Sequence, residues 1–339
     1  VATAKKTTLG PAPKEAVDYI KNKGWKVGFD YRDVWREEHA VGFTVAKAMQ
    51  MDVLETIRTE VERAIEEGIT LREFQKTLTP RLQKLGWWGK KEMLDPMNGQ
   101  TIEAQLGSPR RLRTIFNVNC RTARAAGQWQ RVERTKKALP YLLFQIGSSK
   151  RHRPQHLAWN GTLLPVDDPW WNTHMPPMGY GCKCHIRQVG TAEKRDLEQN
   201  GMPDSNAPAE LNPETGLPTG RLIKQTVPVK TTAPPIKKRA WLNKRTGETL
   251  MVPEGIDPGF DSNPGKTRLA NMSRMLAGKL DAADPVIAHA AIRDIVGSPA
   301  FLVMAKGEEN PIFQAAIRSL GRSEVEKILK AVETAPAGS

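Results

Sequence analysis

The sequence predicts an α+β protein: a mainly helical front domain with a small Cys/His-containing sheet-and-loop region, an extended linker, and a small hairpin followed by a helical C-terminal region. Three observations carry this expectation. Through the front of the chain, apolar residues recur at three- and four-residue steps between helix-capping residues. Two short runs, YLLFQI at 141–146 and CKCHIRQV at 182–189, have the composition of buried strands. Residues 191–238 then turn to Pro, Asn, Thr and Lys with little periodicity, as a linker does.

In order, residues 1–30 form a Lys/Pro-rich arm with one short amphipathic helix, KEAVDYIKNKG, ending at Gly24, and the arm is expected to be mobile or held by a partner. The domain at 31–190 opens with two helices, 33–51 and 52–67. In the second, Leu54, Ile57, Val61, Ala64 and Ile65 mark the inner face and Gly68 supplies the stop. Thr70 is placed to cap a third helix, with Glu73 at the capping-box position, and that helix runs to Leu85. A Trp87–Gly89 corner and a polar loop follow. Ser108 and Pro109 then open a long basic helix whose Leu112, Ile115, Asn119, Ala123, Ala126 and Trp129 share a mixed inner face.

Past the 191–238 linker, within which 222–229 is a candidate strand, the 239–339 region begins with a hairpin. Its strands, 240–243 and 249–252, flank Arg245, Thr246 and Gly247. Helices are expected over 267–282, 285–296, 310–319 and from Ser323 to Thr334, the last with Ser323 and Glu326 as a capping box.

The chain has 339 residues and 39% hydrophobic residues, enough for two domains, and its 25 Pro and 27 Gly argue against one tight globule. No apolar run approaches a membrane span, and the opening VATAKKTTLGPAP lacks a signal-peptide core, so neither export nor membrane insertion is expected. With three cysteines a disulfide framework is not expected. The formal net charge of +14 favours polyanionic neighbours. That charge is concentrated: nine Lys or Arg and a single acid, Glu133, lie on the long basic helix and the two lysines after it. Arg110, Arg113, Arg121, Arg124 and Arg131 are therefore candidates for a face toward phosphates or an acidic protein; a solvated face is the alternative.

Four of the six histidines and two of the three cysteines fall within residues 149–185. Cys182 and Cys184 offer two soft donors two residues apart, and His152, His156, His174 and His185 are available to complete a tetrahedral zinc shell. The ligand set chosen is His156, His174, Cys182 and Cys184, because alternation on a strand beginning at Cys182 turns His185 to the opposite face. The competing reading makes both cysteines reduced residues on one face of that strand, with the histidines solvated. Arg151 and Arg153 are placed to brace the turn or to contact phosphate.

Enzyme signatures are sparse. Gly265, Lys266 and Thr267 echo the end of a phosphate-binding loop, but five residues separate Gly259 from Gly265 where four are required. The His-x-Glu and Pro-Cys-x-x-Cys of zinc deaminases are missing. A metal-dependent nuclease using His156, Asn160 and His174 or His185 beside the cysteines stays open, with Asp167 and Asp168 the acids available to a hard metal.

Word order within the Cys/His segment is more specific than ligand count. SKRHRPQH (149–156), WNG (159–161), DDPW (167–170), PP (176–177) and GCKC (181–184) follow one another. This series resembles the phage Mu F-like minor head proteins, the phage head morphogenesis family, with Ser149 standing where that family usually carries Asp. WREEHA at 35–40, GFTVAK at 42–47 and PEGIDPGF at 253–260 extend the resemblance across most of residues 12–265. It implies that 31–190 is the Mu F-like head morphogenesis domain of a minor capsid protein, present in few copies. Such a protein acts by binding in head assembly and DNA packaging. Its implied partners are the portal protein, the major capsid or scaffolding protein, and genomic double-stranded DNA, with no membrane and no small-molecule substrate. The implied location is the phage head near the portal, after synthesis in the bacterial cytoplasm. The alternative carried beside it is a metal-dependent nuclease or phage-delivered effector built on His156, Cys182 and Cys184.

Overall fold

A computed structural model describes residues 12–34, 38–149, 151–204, 207–266, 277, 280, 281, 283–297 and 310–334. It mixes helix and sheet and divides into two compact units, Val1–Gly265 and Lys266–Ser339. The first unit therefore runs well past residue 190, where composition alone placed a boundary.

One helix organises that unit. Pro109–Thr135 is opened by Ser108, whose hydroxyl accepts from Arg111 N–H, and by Pro109 at its first turn. Its 27 residues extend about 40 Å at 1.5 Å per residue, long enough to serve two cores. Leu112, Ile115, Phe116, Cys120, Ala123 and Ala126 enter the first core, and Ala125, Trp129 and Val132 enter the second.

The first core is helical. Met51–Glu66 contributes Leu54, Ile57, Val61 and Ile65, and Leu71–Lys84 contributes Phe74, Leu78 and Leu82. Thr70 caps the latter as expected, accepting from Glu73 N–H at 3.3 Å. The helix expected over 33–51 does not form: Glu38–Val41 is one turn, and Gly42–Phe43 pairs in parallel with Gly24–Trp25. Phe43 and Val45 are both buried, two residues apart, so the pattern here is that of extended chain. The polar loop after Trp88 is a hairpin, Lys90–Leu94 with Thr101–Gln105.

The described part of the N-terminal arm, from residue 12 on, is docked. Helix Lys14–Lys21 buries Ala16, Tyr19 and Ile20 in the first core and crosses the long helix at Gly127. A Cβ at Gly127 would lie 2.8 Å from the backbone nitrogen of Ala16. Gly127→Ala would gain about 1 kcal/mol of helix propensity but force two backbones apart, at about 1–3 kcal/mol. The expected net result is a loss of about 1 kcal/mol, read as a lower urea midpoint at unchanged slope.

The second core surrounds a three-stranded antiparallel sheet with Tyr141–Gln145 at its centre, Leu163–Pro165 on one side and His185–Val189 on the other. Alternation explains why the central strand reads as continuously apolar. Leu142 and Phe144 face the Trp159, Trp170, Trp171 cluster, while Leu143 faces Leu163, Val189, Leu197 and Met202.

Residues 191–238 are tied down, in contrast to the expected linker. Thr191–Asn200 is a helix whose Leu197 is buried, Met202–Pro203 pairs with Thr226–Val227, and Lys230 exchanges backbone hydrogen bonds with Gly161 and Leu163. The sparse apolar residues suffice as anchors because each occupies a prepared site on the sheet. The hairpin Lys238–Leu242 with Thr249–Pro253 forms as expected. At its turn Arg245 pairs with Asp33 and Asp95, so this element also holds the front of the unit.

In the second unit, Pro285–Val296 and Pro311–Leu320 match expectation, with Asp284 and Asn310 as caps. The last helix, Arg322–Thr334, already includes Ser323, which is therefore not its cap. The helix expected over 267–282 lies largely outside the described residues. No helix among the described residues is long and apolar enough to cross a membrane.

Candidate functional site

His156, Cys182 and Cys184 come together from one short helix and one loop, with their ligand atoms all within 4.8 Å of one another. His156 lies in Pro154–Trp159 and is fully enclosed. The strand expected to begin at Cys182 begins at His185, so both cysteines belong to the loop entering it. Their convergence is therefore a product of loop geometry, with no contribution from strand alternation.

The imidazole is locked. Its Nε2 lies 2.9 Å from the carbonyl of Gly255, which can only accept, so Nε2 carries a proton. Nδ1 then faces the sulfurs, 3.4 Å from Cys184 Sγ and 4.0 Å from Cys182 Sγ. Trp159 stacks on the ring at 5.2 Å between centroids and 25° between planes. A hydrogen bond between the two sulfurs pulls the Cys182 thiol down, with His156 assisting against desolvation, and pushes Cys184 upward. Cys120 is apart from this group, a packing residue whose thiol burial pushes up to about 12.

His174 is not a member of the group. Its ring stacks on Trp170 at 4.3 Å and meets the edge of Trp159 at 4.7 Å. Its Nδ1 is engaged by Thr173 Oγ1 at 2.8 Å and the Trp170 carbonyl at 3.3 Å. The choice of His174 as fourth ligand is thus corrected: aromatic packing claims it. Burial pulls its pKa from 6.5 down to about 4. A histidine depressed on folding stabilises above its unfolded pKa, and that contribution is lost as pH falls from about 6.5 toward about 4. His174→Phe is expected to flatten stability against pH across that window, as followed by thermal melts at successive pH values.

The basic candidates divide. Arg121 donates to the Cys182 carbonyl, Arg131 pairs with Glu15 at 3.4 Å, and Arg153 pairs with Asp257 at 2.8 Å, so these three brace the fold and the site loop. Arg110, Arg113 and Arg151 are exposed and Arg124 is half-buried. Ser149 closes its turn by donating to the Arg151 carbonyl at 2.9 Å.

Supporting residues that pattern did not single out are Gly147, Gly255 and Asp257. Asp257 accepts from both Arg153 and Tyr180 N–H, tying the 253–260 loop to the site, and Gly255 takes φ +85° to present its carbonyl to His156. The segment PEGIDPGF, which contains both Gly255 and Asp257, was the available signal. Above the group lies a cavity of about 140 Å³ lined by Gly147, Ser149, Arg151, His152 and Lys183 among others. The acids considered for a hard metal lie elsewhere: Asp168 caps Trp170, and Asp167 pairs with Lys136 at 2.6 Å.

Fold and site together define a two-core helix-and-sheet scaffold that converges on one largely buried sulfur and imidazole group. Residues 55–187 match the family described as phage Mu protein F like protein, and that stretch of the chain is Mu F-like. It is 47% identical over 185 residues to the "Putative capsid assembly protein F" of Escherichia phage Mu, covering 55% of this chain and 42% of that one. It is 37% identical over 227 residues to the "Mu-like prophage FluMu F protein" of Haemophilus influenzae, covering 64% and 53% respectively. The chain thus spans about half the length of the curated relatives it matches. No solved structure matches it.

Proposed function

We propose that this chain is a minor head protein of a tailed phage, associated with the portal and acting in head assembly and DNA packaging by binding. The observation that carries the reading is the 47% identity, over more than half the chain, to a relative named as a capsid assembly protein. The architecture fits a binding role. Arg121, Arg131 and Arg153 are spent on internal contacts, whereas Arg110 and Arg113, at the start of the long helix, and Arg151 are exposed and are offered to an acidic portal surface or to DNA phosphates. The major capsid or scaffolding protein is the other partner, and the location is the virion head after synthesis in the bacterial cytoplasm.

Turnover is not part of this reading. The ligand group found among the described residues contains no carboxylate, so it does not offer the oxygen ligands that a magnesium- or calcium-dependent nuclease uses. His156 is held by a carbonyl on one nitrogen and faces two sulfurs with the other.

The test is genetic. Deleting the gene and inducing the phage should abolish DNA-filled heads, and mass spectrometry of complemented, purified heads should find the chain at few copies, crosslinked to the portal. A normal yield of filled heads without it would sink the proposal.

A further inference from the structure

The geometry points to a zinc site in which His156 Nδ1, Cys182 Sγ and Cys184 Sγ are the three protein ligands and the fourth position opens to the cavity. This inference is independent of the assembly role. Bond lengths of about 2.0 Å to nitrogen and 2.3 Å to sulfur, at tetrahedral angles, place N and S ligands about 3.5 Å apart. The separations of 3.4 and 4.0 Å bracket that value, so an ion fits with adjustments of a few tenths of an ångström.

The tautomer is the required one. Because the Gly255 carbonyl takes the Nε2 proton, Nδ1 is the nitrogen turned to the ion, and a carbonyl partner on the far nitrogen is the usual way a ligating imidazole is aimed. Stacking on Trp159 holds the ring plane, and the Arg121 contact to the Cys182 carbonyl holds the loop. Charge balances as well: two thiolates, a neutral imidazole and Zn²⁺ sum to zero, which a largely buried site tolerates. Two sulfurs and one nitrogen, with no carboxylate in the group, select a soft or borderline ion over magnesium or calcium. His152 lines the cavity but lies outside the ligand group, which is why the fourth position is assigned to solvent.

The experiment uses the full chain, purified without chelator, with metal measured by elemental mass spectrometry and with Co²⁺ substituted as a spectroscopic probe. The expected result is one zinc per chain, and a cobalt form showing tetrahedral d–d bands with thiolate charge-transfer absorption. His156→Ala and Cys182→Ser should lose the metal, whereas His152→Ala and His174→Phe should keep it. If the first two variants misfold, the wild-type chain still decides: added Zn²⁺ should shield Cys182 and Cys184 from alkylation, and a chelator should expose them. Alkylation at equal rates with and without Zn²⁺, or metal-free protein that takes up no cobalt, would overturn the site. Loss of metal from His152→Ala as complete as from His156→Ala would overturn the three-ligand assignment.

Discussion

Trp170→Ala is expected to cost about 3–5 kcal/mol of stability, the range for removing a buried aromatic side chain when the void cannot collapse. Trp170 is 2% exposed and stands at the centre of the second core. Phe144 and Trp159 meet it edge-on at 6.0 Å, Trp171 at 5.0 Å, and His174 stacks on it at 4.3 Å. These neighbours come from the sheet, the Pro154–Trp159 helix, the Pro169–Asn172 turn and the residues just after it, so none can fill the space without moving its segment. Trp170→Phe separates shape from chemistry. The indole Nε1 is buried with no hydrogen-bond partner among the described residues, so Phe removes an unsatisfied donor while keeping most of the apolar volume. Chemical denaturation should place Trp170→Phe much nearer the parent than Trp170→Ala. Equal losses would mean that retained volume does not rescue the cluster and that the indole's own shape and ring contacts hold it.

How much of this was legible follows from how local each signal is. Thr70 with Glu73, and Ser108 with Pro109, act within one turn of their helices, and both caps form as read. The 33–51 stretch failed because Val34, Phe43, Val45 and Ala48 are buried by an extended chain, stabilised by pairing with Gly24–Trp25, which no local window contains. The 191–238 stretch failed for the opposite reason: a few anchors, Leu197, Met202 and Val227, need the sheet to exist before they have anything to bury. At the site, His156, Cys182 and Cys184, put forward together by residue type and order, lie close to one another. Which histidine joined them could not be read from spacing, since stacking against Trp170 decides His174 and the distant Gly255 carbonyl decides His156. Charge count likewise marked the basic helix but not the inward turn of Arg121.

Gly147→Ala should disrupt the site more than any change on the cysteine loop outside the ligands themselves. Gln145 pairs with His185 at the end of the central sheet, and continuing that register sets Gly147 directly against Lys183, between the two cysteines. A Cβ there would lie 2.1 Å from the Lys183 carbonyl oxygen and 2.8 Å from its carbon, both backbone atoms that cannot rotate away. The loop must therefore shift by about an ångström or more, at or above the upper end of the about 1–3 kcal/mol that overpacking costs. Such a shift would leave His156 in place, because Gly255 and Trp159 hold it from the other side. Thiol chemistry would then report the separation: Cys182 and Cys184 should alkylate faster than in the parent, with Cys120 still protected and the far-ultraviolet dichroism retained. Unchanged labelling in a folded Gly147→Ala protein would show that the loop is not clamped by the sheet, and the convergence of the three ligands would need another cause.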